Sequence, residues 1–424
     1  MPHPTRNSLY PFALIVALFF LWGMANNLND ILIAQFKKAF TLSDFRAGLV
    51  QSAFYMGYFL LALPAGMFTR RFGFKGAVVV GLLLYACGAF LFWPAAELRT
   101  YGLFLMALFV LASGLAFLET SANPFATVLG PPETAAQRLN LAQAFNPLGS
   151  ITGVIIGQQF IFSGIEHTPA QIAAMDNAQR SAYFATESTA VQLPYLIIGL
   201  VVLVWAALIL MARFPETSAP DATRFTVRSL WRNQRFVLAV VAQFFYVGAQ
   251  VGIWSFLIRY VQATQPGTSQ KLAANFLTAS LVAFMVGRFT GTALMRRFSP
   301  TRLLAWFAGI NVALCAAAVA NVGHVGTYTL VASSFFMSIM FPTIFALGVD
   351  GLGDTERKLG SALIVMSIIG GAVLTAVMGA VSDAGGIQLA MSVPSLCFAA
   401  VLIFARRSRQ ETRGPVSIGG ASQH

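Results

Sequence analysis

Long apolar runs separated by short polar connections dominate this chain. Most of them reach the roughly 20 residues that a helix needs to cross the hydrocarbon core of a bilayer. Because lipid offers the backbone no hydrogen-bond partners, we predict that these runs are transmembrane helices. About twelve runs meet this length criterion, at roughly 11–35, 47–69, 74–96, 101–129, 138–163, 191–212, 236–262, 273–295, 301–321, 325–350, 359–382 and 386–405.

Composition supports the same class. Of the 424 residues, 57% are hydrophobic and only 10% are charged, whereas a soluble domain carries roughly 25% charged residues. An all-α membrane protein with 12 transmembrane helices is therefore predicted.

Basic residues are distributed unevenly between the two sides of the predicted membrane. With the N-terminus inside, the inner segments hold 19 of the 27 Lys and Arg residues, the outer segments hold seven, and Arg288 lies within a helix. This positive-inside pattern places both termini in the cytoplasm. We expect the protein to lie in the inner membrane of the cell. The net charge of +12 thus indicates topology, and we expect no nucleic-acid partner.

A polar, arginine-rich connection divides the chain into two halves. It predicts an N-terminal six-helix bundle at 1–212, a cytoplasmic linker at 213–235 and a C-terminal six-helix bundle at 236–424. Arg-Arg-Phe occurs after the second predicted helix, at 70–72, and after the eighth, at 296–298. This repetition favours two parallel halves, although any short inner loop attracts arginine.

Two acidic residues fall inside apolar runs, where a charge is costly and usually functional. Glu119 lies near the middle of the fourth predicted helix, without a Lys or Arg nearby in sequence. Burial favours its protonated form, so it can take up and release a proton during transport. The alternative is a structural hydrogen bond to a neighbouring helix.

Asp30 lies late in the first predicted helix, and Asn26 and Asn29 share its helical face. This polar face predicts a polar interior, unless the helix is simply ending in the outer interface. Arg288, in the eighth predicted helix, either balances an interior carboxylate or extends to an interface.

Amide side chains form stripes on two predicted helices. One stripe, in the fifth helix, consists of Asn140, Gln143 and Asn146; the other, in the seventh, consists of Gln243, Tyr246 and Gln250. Amides both donate and accept hydrogen bonds, as a polyhydroxylated solute requires, but they also join helices to one another. We predict that they bind a sugar. The aromatic rings of Trp22, Tyr55 and Trp254 can pack against the C–H face of such a sugar. The alternative for each ring is plain packing within the protein or a place in the interfacial belt.

Several short motifs are distinctive along the chain. They are Ala-Asn-Asn-Leu-Asn-Asp-Ile-Leu at 25–32, Gln-Ser-Ala-Phe-Tyr at 51–55, Leu-Phe-Trp-Pro-Ala-Ala-Glu at 91–97, Leu-Glu-Thr-Ser-Ala-Asn-Pro-Phe at 118–125, Arg-Leu-Asn-Leu-Ala-Gln-Ala-Phe-Asn at 138–146, Tyr-Val-Gly-Ala-Gln at 246–250, Gly-Arg-Phe-Thr-Gly-Thr at 287–292 and Pro-Thr-Ile-Phe at 342–345. In these motifs the chain resembles the L-fucose/proton symporters of the major facilitator superfamily. The resemblance covers most of the chain, from about Phe19 to Ala405.

This resemblance implies roles for individual residues. It implies that Glu119 carries the proton and that Asp30 links protonation to sugar binding. It implies that Asn27, Gln143 and Asn146 are sugar ligands. One position departs from the wider superfamily, since Arg70 stands where its first inner loop usually has an Asp. A gating salt bridge built on that Asp is therefore not expected.

The sequence thus predicts a proton-coupled symporter of L-fucose or a similar monosaccharide that works by alternating access. The alternatives are D-glucose, D-galactose or an N-acetyl sugar on the same fold, and a sugar sensor that does not transport. No enzyme is expected, because all four His residues lie at termini or in outer loops. We expect no cofactor and no metal, and we expect a monomer whose partners are the sugar, the proton and the bilayer.

Overall fold

The structure is a computed structural model that describes residues 10–24, 44–156, 171, 174–189, 191–214, 227–268, 270–321 and 323–411. Regular secondary structure within these residues is entirely helical. Short 3-10 helices occur at Pro132–Thr134 and Ser367–Ile369. The α-helices are α1 (Tyr10–Met24), α2 (Asp44–Glu97), α3 (Tyr101–Val128), α4 (Ala135–Ile156), α5 (Asn177–Thr189), α6 (Gln192–Met211), α7 (Val227–Arg232), α8 (Gln234–Thr264), α9 (Gln270–Leu294), α10 (Pro300–Ala320), α11 (His324–Met337), α12 (Met340–Val349), α13 (Asp354–Met366), α14 (Gly370–Gly385), α15 (Ile387–Ala390) and α16 (Ser392–Glu411).

Nine helices in the described part of the chain are long and apolar enough to cross a membrane. One of them, Met56–Glu97, has 42 residues, about twice the length of one crossing. The whole of α2, Asp44–Glu97, covers the predicted runs 47–69 and 74–96, which meet near Gly73 with a φ of 77°. Glycine adopts this left-handed conformation without steric cost, so two predicted runs form two helical segments of α2.

Two other predicted runs are interrupted in the structure. The run predicted at 325–350 forms α11 and α12, with Ser338 and Ile339 between them. The run predicted at 359–382 forms α13 and α14, with the 3-10 helix Ser367–Ile369 between them. Both runs were predicted to be continuous helices, and the structure divides each of them into two α-helices.

The chain divides into two compact units. The first contains Met1–Asn233 and Val349–Ile369, and the second contains Gln234–Gly348 and Gly370–His424. The segment that carries α13 thus groups with the first unit. The bundle boundaries predicted from sequence stay a prediction.

In the first unit, α1 and α4 touch backbone to backbone. A Cβ atom on Gly149 would lie 1.9 Å from the Phe20 carbonyl oxygen, and one on Gly23 would lie 2.0 Å from that of Asn146. Small residues allow this close approach, a common way to join helices in lipid. The contact fixes where the polar residues of α4 lie relative to α1.

Also in the first unit, α13 packs on α2. Lys358 is 4% exposed, and its ammonium lies 2.8 Å from the Asp354 carboxylate and 5.5 Å from the centre of the Phe74 ring. A Cβ on Gly66 would lie 2.7 Å from that of Ala362. Arg70 is exposed, whereas α13 carries a part-buried ion pair between Asp354 and Lys358.

In the second unit, α8 contacts several other helices. The Tyr260 hydroxyl donates a hydrogen bond to the Ala318 carbonyl of α10 at 2.7 Å. A Cβ on Gly370, at the start of α14, would lie 2.1 Å from the Phe244 carbonyl oxygen. These contacts hold α8, which carries one of the predicted amide stripes, against its neighbours.

Candidate functional site

Glu119 lies in the most deeply buried part of α3. Its side chain is 3% exposed, and every residue from Leu111 to Thr127 is buried. A helix buried on all sides lies within a protein interior and not on its lipid-facing surface. Within the described part of the chain, no group donates a hydrogen bond to its carboxylate and no cation forms a salt bridge with it. The carboxyl therefore lies in surroundings that favour its neutral form.

A chain of amides begins one turn further along α3. The Asn123 side-chain amide donates to the Glu119 backbone carbonyl at 3.0 Å. Its side-chain oxygen accepts a hydrogen bond from the Gln143 amide of α4 at 2.8 Å. Asn123 is fully buried, and Gln143 is 5% exposed. The structure thus brings the predicted ligand Gln143 to the helix that carries Glu119.

The three members of the α4 stripe have different neighbours. Asn146 is half-buried and donates to the Phe19 carbonyl of α1 at 3.3 Å. Asn140 is fully buried and donates to the Ala136 carbonyl of its own helix at 2.8 Å. Gln143 therefore points to α3 and Asn146 to α1, so the stripe contacts both helices that were predicted to carry acidic site residues.

Two of the predicted site residues of the first helix, Asn27 and Asp30, lie outside the described residues, as do Asn26 and Asn29. Their predicted roles stay predictions. Among the aromatic candidates, Trp22 is 7% exposed, and its ring nitrogen donates to the Tyr58 hydroxyl at 2.8 Å. The side chain of Tyr55 is also outside the described part.

The second unit contains the other stripe, on α8. Gln243 and Tyr246 are fully buried, and Gln250 is half-buried. Neither the nitrogen nor the oxygen of the Gln243 amide has a hydrogen-bond partner in the described part of the chain. A buried amide left without partners costs about 1–3 kcal/mol, so a native structure that keeps one usually has a polar ligand or water there. Gln243 is therefore a candidate ligand for which the geometry gives independent support.

Two aromatic residues of α8, Tyr246 and Trp254, pack against aromatic rings of other helices. The Tyr246 ring lies edge-to-face with that of Phe341, with 6.4 Å between the centres. The Trp254 ring is half-buried and lies 5.1 Å from that of Phe284. The Trp254 nitrogen donates to the Ser334 hydroxyl at 3.2 Å, and Ser334 is hydrogen-bonded to Ser280. Neither serine was singled out in the sequence, since isolated serines in apolar runs are common.

Arg288 of α9 is buried in the second unit, with 5% of its surface exposed. It does not extend to an interface, which was one of the two roles predicted for it. Its Nε donates to the Ser338 carbonyl at 2.8 Å, and its guanidinium lies 4.7 Å from the centre of the Phe284 ring.

Comparisons with known proteins agree with these observations. A model of the Major Facilitator Superfamily matches residues 14–376. An L-fucose-proton symporter of Escherichia coli (strain K12) is 49% identical over 418 residues, which cover 96% of this chain and 95% of that protein. A glucose/galactose transporter of Brucella abortus is 39% identical over 415 residues, which cover 95% of this chain and 97% of that protein.

Solved structures show the same similarity. A crystal structure of the E. coli fucose:proton symporter has a TM-score of 0.89 and 48% sequence identity, and the match covers 95% of this chain and 99% of that chain. Almost the whole chain is therefore similar, in sequence and in fold, to a transporter of known architecture.

Proposed function

The chain belongs to the Major Facilitator Superfamily, and from this membership we propose that it carries L-fucose or a similar monosaccharide across the membrane together with a proton. The predicted fold class, an all-α membrane protein of 12 transmembrane helices in two six-helix bundles, is that of the superfamily. The observation that carries the proposal is the burial of Glu119 in a chain 49% identical to a proton symporter.

Proton coupling is assigned to Glu119 and Asp30. A carboxylate without a nearby cation is unstable away from water, so Glu119 is expected to be neutral while its surroundings are closed. Protonation from outside favours the sugar-binding state, and deprotonation inside favours release and return. Proton and sugar then bias one two-state equilibrium, which is the thermodynamic requirement for coupling. Asp30 links the two events in this scheme.

Sugar binding is assigned to amides and a tyrosine. The proposed ligands, which pair donor and acceptor atoms with sugar hydroxyls, are Asn27, Gln143, Asn146, Gln243, Tyr246 and Gln250. Two observations support this assignment: the amide chain from Gln143 reaches the helix of Glu119, and the buried Gln243 amide has no partner in the described residues.

A second candidate substrate is D-glucose or D-galactose. It is favoured by the 39% identity to the glucose/galactose transporter. Uptake of radiolabelled L-fucose by cells that lack their own fucose transporter, measured with competing sugars, separates the two substrates. Competition by D-galactose well below the concentration at which L-fucose itself competes would favour the second candidate. Saturable binding without flux would identify a sensor.

The decisive experiment for coupling uses Glu119→Gln in proteoliposomes. This variant resembles a permanently protonated Glu, so sugar counterflow should persist while accumulation driven by a proton gradient is lost. Glu97→Gln, at the exposed end of α2, is the matched control and should retain both activities. Unchanged accumulation in Glu119→Gln would refute the proton role.

We further propose that the protein is a monomer of the cell inner membrane with both termini in the cytoplasm. The uneven distribution of Lys and Arg supports this orientation. Labelling of single introduced cysteines with a membrane-impermeant reagent, in intact cells and in inverted vesicles, tests it. Residues in the linker at 213–235 should react only in the inverted vesicles.

A further inference from the structure

The break between α11 and α12 has a specific chemical cause. Proline lacks the backbone N–H group, so Pro342 cannot donate to the carbonyl four residues earlier, which is that of Ser338. The next amide along the chain, that of Thr343, still bonds to the Ile339 carbonyl at 3.1 Å. Pro342 therefore leaves a single carbonyl, that of Ser338, without its helical donor. Ser338 lies between the end of α11 and the start of α12.

Arg288 supplies the missing donor from another helix. Its Nε lies 2.8 Å from the Ser338 carbonyl oxygen, and Arg288 as a whole is only 5% exposed. A hydrogen bond from a charged donor is stronger than the amide bond that it replaces. In a membrane interior, backbone groups freed by proline have to find partners of this kind.

Glycines allow α9 to come close enough for this bond. A Cβ atom on Gly287 would lie 2.3 Å from the Phe335 carbonyl oxygen, and one on Gly291 would lie 2.3 Å from a methyl carbon of Ile339. The residues on either side of the break thus lie against α9. Close packing against α9 therefore holds the interrupted helix at its break, in addition to the hydrogen bond from Arg288.

The break adjoins the proposed sugar ligands. Phe341 directly precedes Pro342 and lies edge-to-face with Tyr246, and Tyr246 lies one turn from Gln243 on α8. A change in the bend at Ser338 would move Phe341 and so alter the surroundings of Tyr246, one of the proposed ligands.

We propose that Arg288 is a positioning residue: it replaces the hydrogen bond that Pro342 removes, fixes the bend between α11 and α12, and thereby holds Phe341 against the sugar site. The first two parts of this proposal are independent of the transported solute. The third rests on the proposed function.

Hydrogen exchange of the sugar-free protein tests the first two parts. Arg288→Met should raise the exchange rates of the amides of 339–341 and 343–345 by about tenfold, because the substitution removes roughly one charged hydrogen bond. In the Pro342→Ala background the same substitution should raise them by less than about threefold, because the alanine introduced there supplies the helical donor. Arg288→Lys, which keeps a charged donor, should give an intermediate rate.

Matched controls are available within the second unit. Arg259 is exposed and lies over the Phe256 ring, so Arg259→Met should leave exchange at the break unchanged. Pro300 lies at the start of α10, where the helix requires no donor, so Pro300→Ala should not rescue Arg288→Met. Equal effects of Arg288→Met in the parent protein and in the Pro342→Ala background would overturn the proposal. If Arg288→Met does not accumulate in membranes, accumulation of the double variant supports the proposal and failure of both overturns it.

Calorimetric titration with L-fucose tests the third part. Arg288→Met should weaken binding by about tenfold, with Arg288→Lys between it and the parent protein. Weakened binding without any change in exchange of the sugar-free protein would instead make Arg288 a direct sugar ligand, and would overturn the positioning role. If the parent protein does not bind L-fucose at all, the proposed substrate fails while the exchange experiment still decides the role of Arg288.

Discussion

The Gln143 side chain donates a hydrogen bond to the Asn123 side-chain oxygen across 2.8 Å, and this contact joins α4 to α3. Both residues are buried, and Asn123 lies one turn from Glu119. Asn123 therefore links a proposed sugar ligand to the backbone carbonyl of the residue proposed to carry the proton.

Gln143→Ala should weaken sugar binding by about tenfold or more. The substitution removes a proposed ligand, and the lost hydrogen bond to the sugar is worth about 1 kcal/mol or more. Titration calorimetry measures the change. Asn321→Ala is the control, because Asn321 is exposed and donates only to its own helix; it should not alter affinity. Binding by Gln143→Ala as tight as in the parent protein would remove Gln143 from the site.

Gln243→Met tests whether Gln243 is a sugar ligand or a structural residue. Because the buried amide has no partner in the described residues, its replacement relieves a desolvation penalty and should leave the sugar-free protein equally or more stable to heat. Affinity for the sugar should nevertheless fall.

Gln265→Met provides the opposite pattern. The Gln265 amide donates to the Thr327 hydroxyl at 2.8 Å, so its loss should lower the melting temperature without changing affinity. A lower melting temperature for Gln243→Met, with affinity unchanged, would contradict the ligand assignment.

Gly149→Ala should disrupt the contact of α1 with α4. The new Cβ would lie 1.9 Å from the Phe20 carbonyl oxygen, a distance that forces the helices apart and strains the bond from Asn146 to Phe19. We expect a melting temperature lower by several degrees and loss of transport. Gly309→Ala, in the middle of α10 with nothing within 4 Å of the added carbon, should be neutral or slightly stabilising, by up to about 1 kcal/mol.

Asp354→Asn should destabilise the protein, because it leaves the Lys358 ammonium, 4% exposed, without its carboxylate partner. Removal of one member of a buried ion pair costs about 3–5 kcal/mol, and the partial exposure of Asp354, 18%, places the expected value at or below the lower end. Thermal unfolding in detergent measures it.

The double variant Asp354→Asn/Lys358→Met completes the cycle. Met retains most of the apolar stem that packs near Phe74 and carries no charge, so the double variant should recover stability relative to Asp354→Asn alone. A double variant less stable than Asp354→Asn would show that the ammonium contributes independently of its partner.

Several features of this protein were determined by the sequence alone. Runs of about 20 apolar residues can only be helices in lipid, and the helical assignment therefore did not depend on knowing what they pack against. The burial of Glu119 followed from its place in the middle of such a run. The short motifs around Glu119 and Asn146 sufficed to indicate the family, which the comparisons then showed.

Other features were decided only by tertiary structure. The spacing of Asn140, Gln143 and Asn146 predicted one stripe, but their partners are residues up to 127 positions away in the chain, and periodicity along one helix carries no information about such partners. The role of Arg288 was open for the same reason: its hydrogen-bond acceptor, Ser338, lies 50 residues further on. Pro342, four residues after Ser338, was the local clue that a carbonyl needed a donor. Which side chain would supply that donor depends on how α9 packs against α11, and that packing is a property of the folded chain.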